Sequence, residues 1–288
     1  MNKILILGSN GFLGKNLKKN FPDALTSDDR SLLDLRNCTD VLRAFQQWQP
    51  EIVIHCAGVV GSSESNRSVP AFDVFHDNVT IDTNVLFACA HTSSVRKVIL
   101  FSTFRLQNQN QKQQQQTSAY LSSKAVLRQQ MAFFQQQCPS IQVVCLVLPN
   151  LFGEFDAYLE NGRIVMALLY KLRHGITTVH AHPEDTVSLL PVEDVVRLVQ
   201  QICHGDGIDQ GEIHVHHPQG TWTLQKLADF LAQELHSDLQ FTFTRIEPRS
   251  SDNTPHLFRL KNFVFSDLKA ALRLLINETR QGEYHTIC

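Results

Sequence analysis

Tyr120 and Lys124, in the stretch Tyr-Leu-Ser-Ser-Lys, stand four residues apart, which on a helix makes a phenol and an ammonium neighbours on one face. An unassisted tyrosine ionises at about pH 10. A cation beside it stabilises the phenolate, so the phenol can exchange a proton with a carbonyl or an alcohol nearer neutral pH. Lys124 can also hold ribose hydroxyls. Ser102 closes the apolar run from Lys97, and the C-terminal end of a strand is where doubly wound sheets gather ligands. Ser102, Tyr120 and Lys124 are therefore the candidate catalytic set, with an ordinary surface tyrosine and lysine as the alternative reading.

Such a set needs a partner cofactor, and the opening stretch MNKILILGSNGFLGKNL supplies a site for one. Ile4 to Leu7 is apolar without alternation, as a strand covered on both faces requires. Gly8, Gly11 and Gly14 follow it at a G-x-x-G-x-x-G spacing, and Phe12, Leu13 and Leu17 mark the helix behind. A sharp turn, a close ligand and a tightly packed helix each remove a Cβ. The helix N-terminus then faces an anion, here the pyrophosphate of a dinucleotide. Gly8, Asn10, Gly11, Phe12, Leu13 and Gly14 are the expected contacts.

Strands and helices alternate behind this unit. Glu51 to His55, Lys97 to Ser102 and Ile141 to Leu148 read as buried strands; Cys38 to Trp48, Ala71 to His91, Ala119 to Gln137 and Val192 to His204 read as helices; and Glu212 to His216 reads as a last strand. The fold class is α/β, a doubly wound parallel (Rossmann) sheet with a smaller interleaved α/β substrate domain. Residues 1–151 and 187–220 are assigned to the NAD(P)-binding domain, and 152–186 and 221–288 to the substrate domain. The glutamine-rich stretch 107–116 reads as an exposed loop.

The chain has 288 residues, 43% of them hydrophobic, and a net charge of −2 from 26 basic and 28 acidic side chains. That balance gives no attraction to nucleic acid or to anionic lipid, so a small-molecule partner is expected. No apolar stretch approaches the ~20 residues of a membrane span, and a strand opens the sequence in place of a signal peptide, so a cytoplasmic protein is expected. Seven scattered cysteines without a Cys-x-x-Cys pair read as reduced thiols, and no metal site is expected.

Taken together, Gly8-x-x-Gly11-x-x-Gly14, Asp34 in LLDL, His55-Cys-Ala-Gly58, Asn78, Ser102 and Tyr120-x-x-x-Lys124 resemble the extended short-chain dehydrogenase/reductases, the NAD-dependent epimerase/dehydratase family. Within it the chain is similar to the GDP-L-fucose synthases and related nucleotide 4-keto-6-deoxysugar reductases. The resemblance implies that Asp34 and Leu35 meet the adenine, that Cys56, Ala57 and Gly58 meet the cofactor phosphates and ribose, and that Asn78 frames them. It implies that Ser102 polarises the keto group and that Thr103, Phe104, Asn150, Asn161, Arg163 and Arg249 face the substrate. For Asn78 and Asn150, plain backbone bonding stays open as an alternative. A homodimer through the 71–91 and 119–137 helices is implied as well.

The departures narrow the chemistry. Fucose synthases carry a cysteine two residues after the serine and a histidine further on, the acid and base of epimerisation at C3 and C5; Phe104 and, in a looser alignment, Arg163 stand there. Phenylalanine carries no proton and arginine stays charged. Val187, Ser188 and Leu189 replace the arginine-bearing segment that meets the nucleotide phosphates, leaving Arg163, Lys171, Arg245 or Arg249 as substitutes. Asp28, placed to bind a 2′-hydroxyl, speaks for NAD(H). Arg30 beside it and the habit of the related reductases tip the expectation to NADP(H). The expected activity is 4-keto reduction of a nucleotide-activated 4-keto-6-deoxy hexose or heptose without epimerisation. A bifunctional epimerase/reductase and a non-catalytic NAD(P)-binding sensor or scaffold are the alternatives.

Overall fold

The computed structural model of the chain describes residues 2–26, 33–60, 69–106, 118–157, 159, 160, 162–205, 211–245, 247 and 263–280. The chain divides into two compact units, Met1–Val147 with Val196–His214 and Leu148–Val195 with Val215–Cys288. The first unit supplies β1 (Ile4–Leu7), α1 (Phe12–Asn20), β2 (Leu25–Thr26), α2 (Cys38–Trp48), β3 (Ile52–His55), α3 (Ala71–Ala90), β4 (Lys97–Thr103), α4 (Ala119–Gln137) and β5 (Gln142–Leu148). Next come β6 (Asn150–Phe152), α5 (Ile164–Arg173), β7 (Thr178–Val179), β8 (Thr186–Pro191), α6 (Val192–His204) and β9 (Gly211–His214). The described elements end with β10 (Thr221–Thr223), α7 (Leu224–Leu235), β11 (Thr242–Phe243) and α8 (Leu268–Arg280).

The first unit is built on a six-stranded sheet in the order β2-β1-β3-β4-β5-β9. β1 pairs parallel with β2 and β3, β3 with β4, and β5 with β9. The apolar runs without alternation are explained by burial on both faces. Leu5, Leu7, Val53, Val98, Leu100, Val143 and Cys145 share a core with Val85, Cys89, Leu127, Met131 and Phe134 of α3 and α4. The intervening Ile6, Ile54, Ile99 and Leu146 are fully buried too. Strand order reverses between β1 and β3, so the turns after these two strands open side by side, which is where doubly wound sheets bind ligands. Lys97, buried at the start of β4, donates to the Ile202 carbonyl at the end of α6 (2.7 Å), placing its cation on a helix C-terminus.

In the second unit β8 pairs antiparallel with β10 and parallel with β6, and β7 pairs with β11. Phe152, Met166, Leu169, Leu189, Trp222, Leu227, Leu231, Leu272 and Ile276 form its core. The boundaries therefore fall differently from those expected. Residues 187–195 belong here and not with the six-stranded sheet, because β8 finds both of its hydrogen-bonding neighbours in β6 and β10. Residues 148–151 and 215–220 fall in this unit as well. The expected last strand over 212–216 is β9, ending at His214. The glutamine-rich stretch lies outside the described residues. No described helix is long and apolar enough to cross a membrane.

Candidate active site

The glycine turn shows three different uses of a missing Cβ. Gly8 has φ +84° and a Cβ there would stand 2.5 Å from the Ala57 backbone, so it brings the β1 turn against the β3 turn. At Gly14 a Cβ would meet the Gly8 carbonyl oxygen at 2.0 Å, so this residue seats α1 on the turn. At Gly11 the nearest atom to an added Cβ is the Gly8 oxygen at 3.4 Å, and the remaining space is open. The Gly11 N–H donates to the Gly8 carbonyl (3.1 Å) and closes the turn. α1 then starts without a side-chain cap bond from Gly11 and without an acidic residue in its first turn. A positive helix end with nothing negative of its own suits a pyrophosphate.

Ala57, Gly58 and Val59 form the facing loop, and Asn78 of α3 holds it. The Val59 N–H donates to Asn78 Oδ1 (2.7 Å), while Asn78 Nδ2 donates to the Val59 carbonyl (2.9 Å) and to Ser123 Oγ (3.1 Å). Ser123 Oγ donates in turn to the Tyr120 carbonyl (2.8 Å). The buried amide of Asn78 thus ties the Ala57–Val59 loop to the first turn of α4. Nearby, Asp34 accepts from Arg36 Nε and Nη2 (2.9 and 2.8 Å), and Asn84 Nδ2 donates to the Leu35 carbonyl (3.0 Å).

α4 opens at Ser118, whose side chain accepts from the Leu121 N–H (3.2 Å), and this start puts Tyr120 and Lys124 one turn apart in the first two turns. Lys124 Nζ lies 5.9 Å from the Tyr120 ring centroid. On its other side it is 3.9 Å from Asp82 Oδ2, and His55 Nε2 donates to Asp82 Oδ1 (2.8 Å). Lys124, Asp82 and His55 are all buried. Burial by itself pulls the Lys124 ammonium pKa down, but Asp82 foremost, with Tyr120, Cys145 and Cys56, raises it above the ordinary lysine value. Burial likewise pushes the Asp82 carboxyl up, and Lys124 and then His55 outweigh it, leaving the group below the usual carboxylate value. Asp82 therefore stabilises the fold above an unfolded pKa of ~4, a contribution lost as pH falls; that of Lys124 is present below ~10.4 and lost as pH rises.

Ser102, at the end of β4, is buried, and its Oγ has no hydrogen-bond partner among the described residues. A buried hydroxyl without a partner costs stability unless something else completes it, and a substrate carbonyl would. The thiol of Cys56 donates to the Leu7 carbonyl (3.0 Å), and burial pushes its pKa up to about 12, so it stays a neutral packing group. Thr103 follows Ser102 on β4, and Phe104 is buried with its ring centroid 5.8 Å from that of His214. His214 itself bonds Glu212 (2.8 Å), which also accepts from Arg128 Nε and Nη2 (2.7 and 2.9 Å).

The remaining expected residues belong to the second unit or lie outside the described residues. Asn150 Nδ2 donates to the Ser188 carbonyl (3.1 Å) and stitches β6 to β8. Arg163 caps α5 and pairs with the buried Asp156 (2.6 Å). Lys171 pairs with Glu160 (3.1 Å), and Arg245 with Asp185. Asp28, Asn161 and Arg249 are not among the described residues. Sequence reasoning missed Asp82 and the pairing of His55 with it. A polar residue inside the apolar rhythm of the 71–90 helix was the available signal.

A model of the family described as "NAD dependent epimerase/dehydratase family" matches residues 4–214. A GDP-L-fucose synthase of Dictyostelium discoideum is 23% identical over 185 residues, an alignment covering 58% of this chain and 58% of that protein. The chain thus aligns with less than two thirds of that relative's length. Among solved structures, a GDP-L-fucose synthetase of Naegleria fowleri bound to NADP has a TM-score of 0.77 at 16% identity, covering 99% of this chain and 95% of that one. A GDP-6-OMe-4-keto-L-xylo-heptose reductase of Campylobacter jejuni has a TM-score of 0.77 at 14% identity over 98% of both chains. At these identities the structural likeness speaks for the shared fold.

Proposed function

Because the chain belongs to the NAD dependent epimerase/dehydratase family, we propose that it is an NADPH-dependent reductase of a nucleotide-activated 4-keto-6-deoxy sugar that leaves C3 and C5 untouched. The observation that carries the reading is the buried Ser102 hydroxyl, without a hydrogen-bond partner among the described residues, in the same unit as the Tyr120–Lys124 pair and the glycine turn. When bound, a reduced nicotinamide would supply the hydride for C4. Ser102 donates a hydrogen bond to the keto oxygen and draws charge onto it. Tyr120 gives its proton to that oxygen as the alcohol forms, and Lys124 stabilises the phenolate left behind. Lys124 would also hold the cofactor ribose, while Gly11 and the start of α1 would hold the pyrophosphate. The choice of NADPH rests on Arg30, on the habit of the related reductases and on the cofactor bound by the Naegleria fowleri protein. The deciding assay follows NADPH and NADH oxidation with GDP-, CDP-, dTDP- and UDP-linked 4-keto-6-deoxy sugars. Oxidation with one nucleotide series is the expected result; none with any of them removes the proposal.

Phe104 carries the second half of the reading, since exchange at C3 or C5 needs a base and an acid and a buried phenyl ring is neither. Incubating protein and keto sugar in D₂O without reduced cofactor is expected to leave C3 and C5 free of deuterium. The bifunctional alternative has one observation in its favour, the imidazole of His214 beside the Phe104 ring. Deuterium entering as fast as reduction proceeds, and lost in His214→Asn, would return that alternative to first place.

Assembly is open to a direct test. Phe72 on α3 and Phe133 on α4 are 75% and 65% exposed, more than large apolar side chains usually are. A dimer covering these helices is expected, with Phe133→Asp shifting the light-scattering mass to that of the monomer. A monomeric wild-type protein at micromolar concentration would contradict it.

A further inference from the structure

The carboxylate behind Lys124 has no part in the steps above, yet its placement bears on them. Lys124 is faced by Asp82 from α3, by Cys56 after β3, by Cys145 from β5 and by Tyr120 on its own helix. Glu212 of β9 and Arg128 of α4 reach the same neighbourhood through Cys145 and are bonded to each other. Burial keeps both thiols neutral, each pushed up to about 12. Of the groups facing Lys124, Asp82 alone brings a full opposite charge at neutral pH, 3.9 Å from Nζ. His55 fixes that charge in place by donating Nε2–H to the other oxygen (2.8 Å). The imidazole goes no further, because it is buried and its Nδ1 has no hydrogen-bond partner among the described residues. Among the described residues the bonds end at this ring, and the cluster holds charge in place beside Lys124.

We propose that Asp82, held by His55, is a positioning residue that fixes the Lys124 ammonium beside Tyr120 and so sets the pair to donate a proton. The inference deepens the reductase reading and rests on it, since carbonyl reduction consumes the phenol proton whereas alcohol oxidation needs the phenolate. A fixed negative charge opposes loss of a proton from every group near it, and removing it lets the pair titrate earlier. Asp82→Asn keeps the shape and still offers His55 an oxygen, so the charge is the main thing lost.

The test is an alkaline ultraviolet titration of tyrosine ionisation on the purified protein, with Tyr120→Phe subtracted to isolate the Tyr120 step. Asp82→Asn is expected to lower the midpoint of that step by about one pH unit or more, and Asp82→Glu to keep it close to wild type. His55→Phe, which removes the donor and leaves the carboxylate more basic, is expected to raise it. That variant carries the test if Asp82→Asn does not fold. An unchanged midpoint in folded Asp82→Asn, or in His55→Phe where Asp82→Asn fails to fold, overturns the proposal, as does a shift in the opposite direction. No sugar is needed for the titration, so a failed substrate screen and a failed Asp82 role give separate results.

Discussion

Tyr120→Phe is expected to lower turnover of the keto sugar by about 10² or more while cofactor binding stays as in wild type. The substitution removes one oxygen and keeps the ring, so the start of α4 and its tie to Asn78 through the Tyr120 carbonyl are untouched. What is lost is the acid. Water would have to protonate the oxygen that hydride transfer makes basic, and a positioned general acid is worth about two to four orders of magnitude over that. Steady-state rates for the two proteins, with NADPH affinity measured by fluorescence, separate the step from the binding. A Tyr120→Phe protein with wild-type turnover would take the tyrosine out of the mechanism. Equal losses of turnover and cofactor affinity would assign it to binding instead.

Gly14→Ala is expected to abolish cofactor binding and lower the melting temperature, although it adds a single methyl group. That group would stand 2.0 Å from the Gly8 carbonyl oxygen and 2.7 Å from the Ser9 Cα, and both are backbone atoms. No side-chain rotation relieves such a contact, so α1 must lift from the turn that aims it. Overpacking of this kind costs about 1–3 kcal/mol, or more where the backbone itself has to give. Gly11→Ala supplies the contrast, because its methyl meets only the Gly8 oxygen at 3.4 Å and otherwise fills open space. It is expected to melt like wild type without cofactor and to lose the rise in melting temperature expected of wild type with NADPH. If Gly14→Ala binds NADPH as wild type does, or if Gly11→Ala does, the pyrophosphate does not lie on this turn.

The two substitutions differ in how far their reasons could be read from sequence. The strand, turn and helix around Gly8 are legible because each is a short-range matter: an apolar run, three spaced glycines and an amphipathic repeat. The same holds for α4, where four-residue spacing alone makes Tyr120 and Lys124 neighbours. Which glycine packs and which leaves room for a ligand was not legible, since it depends on how the folded turn sets the Gly8 carbonyl against Gly14 and Gly11 and, for Gly8 itself, on Ala57, far away in the chain.

Local spacing in the sequence determined the alternation of strands and helices, the glycine turn at the end of β1 and the tyrosine and lysine on one helix face. These follow from periodicity and from backbone geometry over a few residues. Only the tertiary structure decided that β8 pairs with β6 and β10, because an apolar run can join any free sheet edge. It alone decided that Arg163 pairs with Asp156 and Arg245 with Asp185, since a charge takes whichever opposite charge the fold brings near it. The same is true of Asp82, which sits 27 residues from His55 in the chain and within hydrogen-bonding distance of it in space. Burial turns that pairing into an electrostatic constraint on Lys124, and burial is a property of the packed molecule that no stretch of sequence carries by itself.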